Sequence, residues 1–241
     1  MKIIDVQGLY KWYGRKPVLR GLDFQLEEGE FVALLGPNGA GKTTFLRILS
    51  SLLRQTSGQV LVAGYHLPQQ SVAVRQRLGV VTHLPLLYGH LTGEENLRFY
   101  GKMYGLRKLD HRVDMVLELI GLQDCRRDLV RTYSRGMQQR LAIGRAILHD
   151  PDLMLLDEPH TGLDQDACVM LDSTLLKVMA EGKTIIMTSH DLARSADLAT
   201  RFDVISHGII SASIHGQNLS PDGLLEFYRK SLENQLVEGL S

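Results

Sequence analysis

The segment GPNGAGKTT, from Gly36 to Thr44, constrains the fold of this chain more than any other stretch of its sequence. It matches the pattern G-x-x-x-x-G-K-[ST], which forms a phosphate-binding loop when a strand precedes it and a helix follows it. Both conditions are met. The apolar run FVALLG comes before the loop. The segment KTTFLRILSSLL, which follows the loop, has apolar residues at helical spacing, and Leu52 is one of them. A nucleotide-binding α/β fold is therefore predicted, and the alternative of an ordinary glycine-rich turn is disfavoured.

The residue types in this loop suit the binding of a nucleoside triphosphate. Gly36, Gly39 and Gly41 permit the tight backbone path that turns N–H groups toward phosphate oxygens. The following helix presents its positive N-terminal end. Lys42 is expected to reach the β- and γ-phosphates, and the Thr43 hydroxyl is expected to ligate Mg²⁺. The predicted nucleotide contacts in the loop are Gly36, Pro37, Asn38, Gly39, Ala40, Gly41, Lys42, Thr43 and Thr44.

Two later segments place polar side chains at the ends of apolar strands. LMLLDEP places Asp157 and Glu158 at one strand end, and TSHD places His190 after another. Because the ends of parallel strands face one ligand crevice, these side chains are expected beside the phosphate loop. Asp157 would hold Mg²⁺, Glu158 would orient or deprotonate the attacking water, and His190 would contact the γ-phosphate. The alternative interpretation is two solvated acids in a turn and a structural histidine.

The order of predicted elements indicates an α/β chain that a helical insertion interrupts. Strand patterns precede residue 84, only helical patterns are convincing over 84–149, and strands return afterwards. The sequence therefore predicts one domain, 1–241, with a core formed by 1–83 and 150–218. The helical subdomain is predicted at 84–149 and a C-terminal helix at 219–241.

Charge and cysteine content narrow the class of protein. The 241 residues include 27 Lys and Arg and 27 Asp and Glu, so the formal net charge at pH 7 is zero. That balance argues against a dedicated nucleic-acid binder. Cys125 and Cys168 are expected to be free buried thiols in a reducing compartment. No signal peptide or apolar run of membrane-spanning length is recognisable, so the chain is expected to be cytoplasmic.

These motifs, with YSRGMQQR between them, resemble those of the ATP-binding subunits of ABC transporters. The resemblance covers nearly the whole chain, in the order phosphate loop, helical insertion, signature, acidic motif, TGLD and switch histidine. It implies an ATPase with ATP and Mg²⁺ as cofactors. It also implies a P-loop NTPase core with a mostly parallel sheet, an antiparallel β subdomain at the N-terminus and an inserted α-helical subdomain.

The resemblance implies roles for residues outside the phosphate loop. Tyr13 falls where the family stacks an aromatic ring on the adenine, and Trp12 is the neighbouring candidate. Ser134 and Gly136 match the signature, and Asp164 lies in TGLD, which crosses the dimer interface in this family. All three residues are expected to contribute to nucleotide binding. There the signature of one subunit closes over ATP held by the other. The helix start at Ser134 is therefore expected to be an anion site that faces a second copy of the chain.

Two segments depart from the family pattern. The usual signature Leu-Ser-Gly-Gly-Gln reads YSRGM here, so Arg135 adds a charge near the nucleotide and Met137 lacks an amide. The serine and the second glycine remain, and the phosphate contact is expected to survive. His83 stands where the family has a glutamine that reaches the metal and the attacking water. We expect His83 to act as a catalytic and metal-binding substitute, and the alternative is an ordinary loop histidine.

The resemblance also implies partners and a location. A homodimer of this chain is expected to bind integral membrane permease subunits near residues 83–100, at the cytoplasmic face of the inner membrane. The apolar loop LPLLY, from Leu84 to Tyr88, fits such a docking site, and its alternative is burial within the helical subdomain. No nucleic-acid partner is expected.

The segment THLPLLYGHLTGEENLRFYGKMYGL most resembles the ATP-binding subunit of the Ccm-type haem exporter used in cytochrome c maturation. Export of haem is therefore the finer functional prediction. The alternatives are the ATPase of another exporter, for a drug, lipid or polysaccharide, and a soluble ABC ATPase that acts on nucleic acid or the ribosome.

Overall fold

The computed structural model describes residues 1–82, 84–216 and 219–238. Strands in these ranges form two sheets. One is a four-stranded antiparallel sheet in the order β2-β1-β4-β5. Its strands are β1 (Lys2–Tyr13), β2 (Lys16–Glu27), β4 (Ser57–Val62) and β5 (Tyr65–Leu67).

The second sheet has six strands in the order β10-β9-β3-β8-β7-β6. It is parallel except for the β9–β10 hairpin. Its strands are β3 (Phe31–Leu35), β6 (Leu78–Val81), β7 (Leu153–Asp157), β8 (Thr184–Thr188), β9 (Arg201–Ser206) and β10 (Ile209–His215). The predicted fold class, a mostly parallel α/β sheet with an N-terminal antiparallel sheet, is therefore confirmed.

Helices connect and cover the strands. They are α1 (Lys42–Leu49), α2 (Ser71–Gln76), α3 (Gly93–Met103), α4 (Leu109–Leu119), α5 (Arg135–Ile147), α6 (Gln165–Ala180), α7 (Leu192–Leu198) and α8 (Pro221–Glu238). Side-chain caps fix several helix starts. The most complete of these caps is a capping box before α3, in which Thr92 and Glu95 satisfy each other's backbone N–H groups.

Strand β3 shows why the sheet is buried on both faces. Phe31, Ala33 and Leu35 point into one hydrophobic core, which the helical segment and α6 help to form. Val32 and Leu34 point into a second core, formed with α1 and the antiparallel sheet. All five residues are buried, as the continuous apolar run predicts.

Two sequence expectations need correction. Helix α1 ends at Leu49, and the side chain of Leu52 is exposed rather than part of the helical stripe. Ser51 adopts φ 60°, and the N–H groups of Leu52 and Leu53 both bond to the carbonyl of Arg47, so the helix cannot continue. Both cysteines are free thiols, but only Cys168 is fully buried; Cys125 lies in the turn after α4 and is partly buried against the core.

An ion-pair network holds the helices of the inserted segment together. Glu94, in the first turn of α3, accepts from Arg98 and from Arg126, each at 2.7 Å. Arg126 also binds Asp114 of α4 at 2.6 Å. The hydrogen bond from Arg126 is the main cause that lowers the pKa of Glu94. The network therefore contributes stability when Glu94 is ionised.

We expect Glu94→Gln to lower the free energy of unfolding at pH 7 by about 1–2 kcal/mol. The substitution removes the negative charge that strengthens the hydrogen bonds from the two arginines, and solvent partly screens that charge. The folded-state pKa lies below the ordinary value of 4.5, so the contribution is present above that value and is lost as the pH falls through the folded-state pKa. Urea denaturation of both proteins at pH 7 and at lower pH measures this. Glu226→Gln, which breaks an exposed pair with Lys230, is the control with little expected effect. Equal losses in the two variants would contradict the prediction.

Candidate functional site

The phosphate loop links β3 to α1 along a path that requires glycine. A Cβ on Gly36 would lie 2.2 Å from the carbonyl oxygen of Ile205, so no side chain fits there. Gly41, at φ 116°, precedes the first residue of α1. The loop and the β2 start border a cavity of about 310 Å³. Its lining residues are Lys16, Pro17, Val18, Asn38, Gly39, Ala40, Gly41, Lys42, Thr43, Thr44 and Glu158.

Lys42 carries a buried positive charge into this loop. Its Nζ donates to the carbonyl oxygens of Gly36 at 2.6 Å and Pro37 at 3.1 Å, and the residue is only 6% exposed. Burial lowers the pKa of Lys42, while the nearby carboxylates of Glu158 and Asp157 oppose that shift. A desolvated ammonium group in this position favours an anionic ligand.

Asp157 joins three elements at one carboxylate oxygen. Thr43 Oγ1 donates to Asp157 Oδ1 at 3.1 Å, and Thr188 Oγ1 donates to the same oxygen at 2.8 Å. Mg²⁺ prefers oxygen ligands such as hydroxyl and carboxylate groups. It commonly binds few protein ligands in addition to the phosphates of a substrate. Thr43 and Asp157 therefore fit an Mg²⁺ ion that phosphates help to hold. In the described ranges, no cluster of three or more acidic, histidine or cysteine side chains could hold an ion alone.

Glu158 and His190 meet directly. His190 Nε2 lies 2.6 Å from Glu158 Oε1, and Thr161 Oγ1 donates to Glu158 Oε2 at 3.2 Å. The backbone N–H of Glu158 donates to Thr188 Oγ1 at 2.9 Å, which holds the residue at φ 51°. A non-glycine residue in this left-handed conformation is sparsely populated and frequent at active sites. The arrangement places a carboxylate and an imidazole together at the edge of the phosphate cavity.

The aromatic candidates lie at the hairpin between β1 and β2. Tyr13 pairs with Lys16, which lines the phosphate cavity, so the hairpin end adjoins that cavity. Both rings are exposed, Tyr13 at 48% and Trp12 at 40%. Lys11 Nζ lies 5.2 Å from the Tyr13 ring centroid. The choice of Tyr13 over Trp12 stays a prediction.

Internal hydrogen bonds account for part of the polar start of α5. Ser134 caps the helix and accepts from the N–H of Met137 at 3.2 Å. Gln138 donates to the carbonyl of Tyr133. The side chain of Arg140 is buried, and its guanidinium donates to the carbonyls of Ile120 and Gly121. Ser134 itself stays exposed. Its anion-binding role is therefore compatible with the structure and stays a prediction.

The signature segment packs on the TGLD loop of the same chain. A Cβ on Gly162 would lie 2.6 Å from Arg135 Nη1, so the guanidinium covers that glycine. A Cβ on Gly136 would lie 2.5 Å from the Cβ of Ala167, which requires glycine there too. Asp164 caps α6 through the N–H of Ala167 at 2.8 Å. Among the described residues, neither Ser134 nor Gly136 lines the phosphate cavity of its own chain.

His83 lies outside the described residues, and its predicted catalytic and metal-binding roles stay predictions. The apolar loop that follows it is largely at the surface. Leu84 is 57% exposed, Leu86 is 52% exposed, and Tyr88 is also exposed. Both leucines line a mostly apolar cavity of about 360 Å³, whose other walls include Leu52 and Leu53 after α1.

Sequence reasoning missed two residues of the site. The sequence shows Thr188 as a polar residue at the end of an apolar strand. Its hydrogen bond to Asp157 follows only from the register of β7 and β8, which aligns these two residues. Lys16 lies outside any motif and reaches the cavity because β2 begins beside the phosphate loop.

No helix in the described part of the chain is long and apolar enough to cross a membrane.

Comparison with known proteins agrees with these features. The family model for ABC transporters matches residues 19–161. The linearmycin resistance ATP-binding protein of Bacillus subtilis (strain 168) is 37% identical over 86% of this chain and 67% of its own length. A fluoroquinolones export ATP-binding protein of Mycobacterium tuberculosis (strain CDC 1551 / Oshkosh) is 38% identical over 88% of this chain and 70% of its own.

A solved structure of the ATP-binding subunit of an ABC transporter superposes with a TM-score of 0.83. The two sequences are 28% identical, and the match covers 94% of this chain and 99% of the other. The phosphate loop, the acidic strand end and the family match therefore agree. The chain belongs to the ABC transporter family, as an ATP-binding subunit with ATPase activity.

Proposed function

We propose that this chain powers an exporter, as one of two identical ATPase subunits bound to integral membrane permease subunits. The observation that carries the proposal is the position of Ser134. It caps an exposed helix start that lies outside the phosphate cavity of its own chain. An exposed helix N-terminus with a hydroxyl suits a phosphate group, and a second copy of the chain would supply that phosphate with its bound ATP.

The roles proposed for the phosphate site follow from its contacts. Lys42 would exchange its bonds to two loop carbonyls for bonds to the β- and γ-phosphates. Thr43 and Asp157 would hold Mg²⁺, which when bound offsets negative charge on the phosphates. Glu158 would take a proton from the attacking water. His190 would contact the γ-phosphate and, through its contact with Glu158, hold that carboxylate in place. Tyr13, or Trp12 beside it, would stack on the adenine.

The proposed direction of transport rests on relatives. The two curated relatives described above are named for linearmycin resistance and for fluoroquinolones export. The compounds in these two names differ, and we propose that the membrane subunits select the molecule carried. Export of haem rests on the resemblance of the segment after β6 alone, and neither of these two relatives bears it out. The class of cargo we propose is therefore a small organic molecule.

The membrane partner is proposed to dock on the apolar cavity beside Leu84 and Leu86. An exposed apolar surface of this kind commonly marks a protein interaction site. The cavity also lies close to the phosphate site, because Asp157 belongs to its lining. Contact there would connect nucleotide hydrolysis with movement of the permease, and it would hold the chain at the membrane surface.

We expect Leu86→Asp to lower recovery of the chain with membranes that contain its permease by about tenfold or more, because a charge would enter an apolar contact. ATP-dependent dimerisation should persist. Val72→Asp, at an apolar position on α2 that is also exposed, is the matched control and should retain membrane recovery. Co-sedimentation with membrane vesicles measures the effect. Unchanged recovery of the Leu86 variant, or recovery of the parent chain with ribosomes or nucleic acid instead of membranes, would contradict the proposal.

A further inference from the structure

A second cavity, of about 400 Å³, is lined by both Glu158 and His190. Its lining includes His160 from the loop before α6, Cys168 from α6 and Arg194 from α7. The cavity therefore lies where the TGLD loop, α6 and α7 converge. Side chains that join these elements are in a position to control the geometry of the pair.

His160, Asp172 and Arg194 form a continuous chain of contacts across these elements. His160 Nε2 lies 2.7 Å from Asp172 Oδ1, and Arg194 donates to the second carboxylate oxygen, Asp172 Oδ2. Their side chains are 11%, 18% and 20% exposed. Pairs this well shielded are screened less by solvent than surface ion pairs are. Asp172 thus connects the loop before α6 to the first turns of α7.

Each end of this chain of contacts lies close to one member of the catalytic pair. His160 follows Glu158 by two residues and lies within the turn that the backbone bond from Thr161 to Glu158 closes. A second backbone bond, from Leu163 to His160, closes the next turn. Arg194 is on the helix that Asp191 caps, directly after His190. A shift of His160 would move Glu158, and a shift of Arg194 would move His190.

The backbone conformation of Glu158 is a second reason to expect that the turn after it is held in place. A residue other than glycine keeps a positive φ only when its surroundings hold it there, and Glu158 has φ 51°. The Thr188 hydroxyl holds its N–H from one side. The bond from His160 to Asp172 holds the following turn from the other side, so the loop has little freedom to relax.

We propose that His160, Asp172 and Arg194 are positioning residues that hold Glu158 and His190 within hydrogen-bonding distance of each other. The inference rests on the catalytic roles proposed for Glu158 and His190. None of the three residues touches the phosphate cavity. Their effect is on the fraction of molecules in which the carboxylate faces the attacking water, and hence on kcat rather than on ATP affinity.

His160→Ala is expected to lower kcat for ATP hydrolysis by about tenfold, with KM for ATP changed by less than about twofold, since misplacement of a catalytic group acts mainly on the chemical step. His160→Gln is expected to restore kcat to within about threefold of the parent, because its amide can donate to Asp172 from near the Nε2 position. Arg77→Ala, which breaks an ion pair with Asp152 remote from the site, is the control and should leave kcat unchanged.

The same substitution in a Glu158→Gln background separates positioning from general loosening of the fold. If His160 acts through Glu158, the added His160→Ala change should lower the residual rate by less than about twofold, since effects through one group are not additive. Parent-like kcat for His160→Ala, no rescue by glutamine, or a full tenfold loss in the Glu158→Gln background would overturn the inference. If instead Glu158→Gln alone leaves the rate unchanged, the catalytic role proposed for Glu158 fails.

Discussion

Replacing Glu158 with glutamine is expected to lower kcat for ATP hydrolysis by about 10²–10⁴-fold while leaving ATP binding intact. Glutamine keeps the shape of the side chain and can still bond to His190 and Thr161, which hold the carboxylate in the parent. It cannot accept a proton from water at neutral pH. The loss is therefore expected on the chemical step, and the phosphate contacts proposed for Lys42 and the loop should be unaffected.

A stalled ATP complex should also change the oligomeric state. If ATP joins Ser134 of one subunit to the phosphate loop of another, the Glu158→Gln variant should accumulate as a dimer with ATP and Mg²⁺ present. Size-exclusion chromatography with light scattering, together with phosphate release, measures both effects. Glu28→Gln, in the turn after β2, is the control and should behave as the parent does. A Glu158→Gln protein that is monomeric and fully active would refute the proposed mechanism.

The candidate site residues that the structure brings together near the phosphate loop are those whose chemistry requires a local pattern. Gly36 and Gly41 are fixed by a backbone path that no side chain permits, and Asp157 and Glu158 end an apolar strand. The parallel orientation of these strands then places their ends at the same edge of the sheet. Such residues can be predicted because each short segment carries its own constraint.

Contacts between distant segments could not be predicted in this way. The position of Arg135 over Gly162 depends on how α5 packs against the loop before α6, and no spacing in the sequence encodes that packing. The bond between His160 and Asp172 spans 12 residues and depends on the turn at Glu158. The exposure of Leu52 arose from a left-handed residue, Ser51, that helical periodicity does not detect. In each case the contact or the exposure depends on tertiary packing or on local backbone conformation, which sequence periodicity does not specify.

Lys42→Met is expected to weaken ATP binding by about 10–100-fold. Charge-assisted hydrogen bonds are worth about 1.5–3 kcal/mol each, and 1.4 kcal/mol is a factor of ten in affinity. Methionine keeps the length and apolar body of the side chain, so the loop and the α1 start should remain folded. Lys16→Met is the matched control, because Lys16 lines the same cavity but is exposed to solvent and should contribute less. Isothermal titration calorimetry with ATP measures both variants.

The pH dependence of binding tests whether the charge on Lys42 causes this difference. Burial lowers the pKa of Lys42 in the ATP-free protein, whereas a bound triphosphate would favour the charged ammonium and raise that pKa. ATP affinity of the parent should therefore be highest while Lys42 is charged in the ATP-free protein, and it should decline as the pH rises through the ATP-free pKa. Titrations from neutral pH up to the ordinary lysine pKa of 10.5 should show this decline in the parent and in Lys16→Met, but not in Lys42→Met. An equal decline in Lys42→Met would assign the pH dependence to another group and remove Lys42 from the phosphate contact.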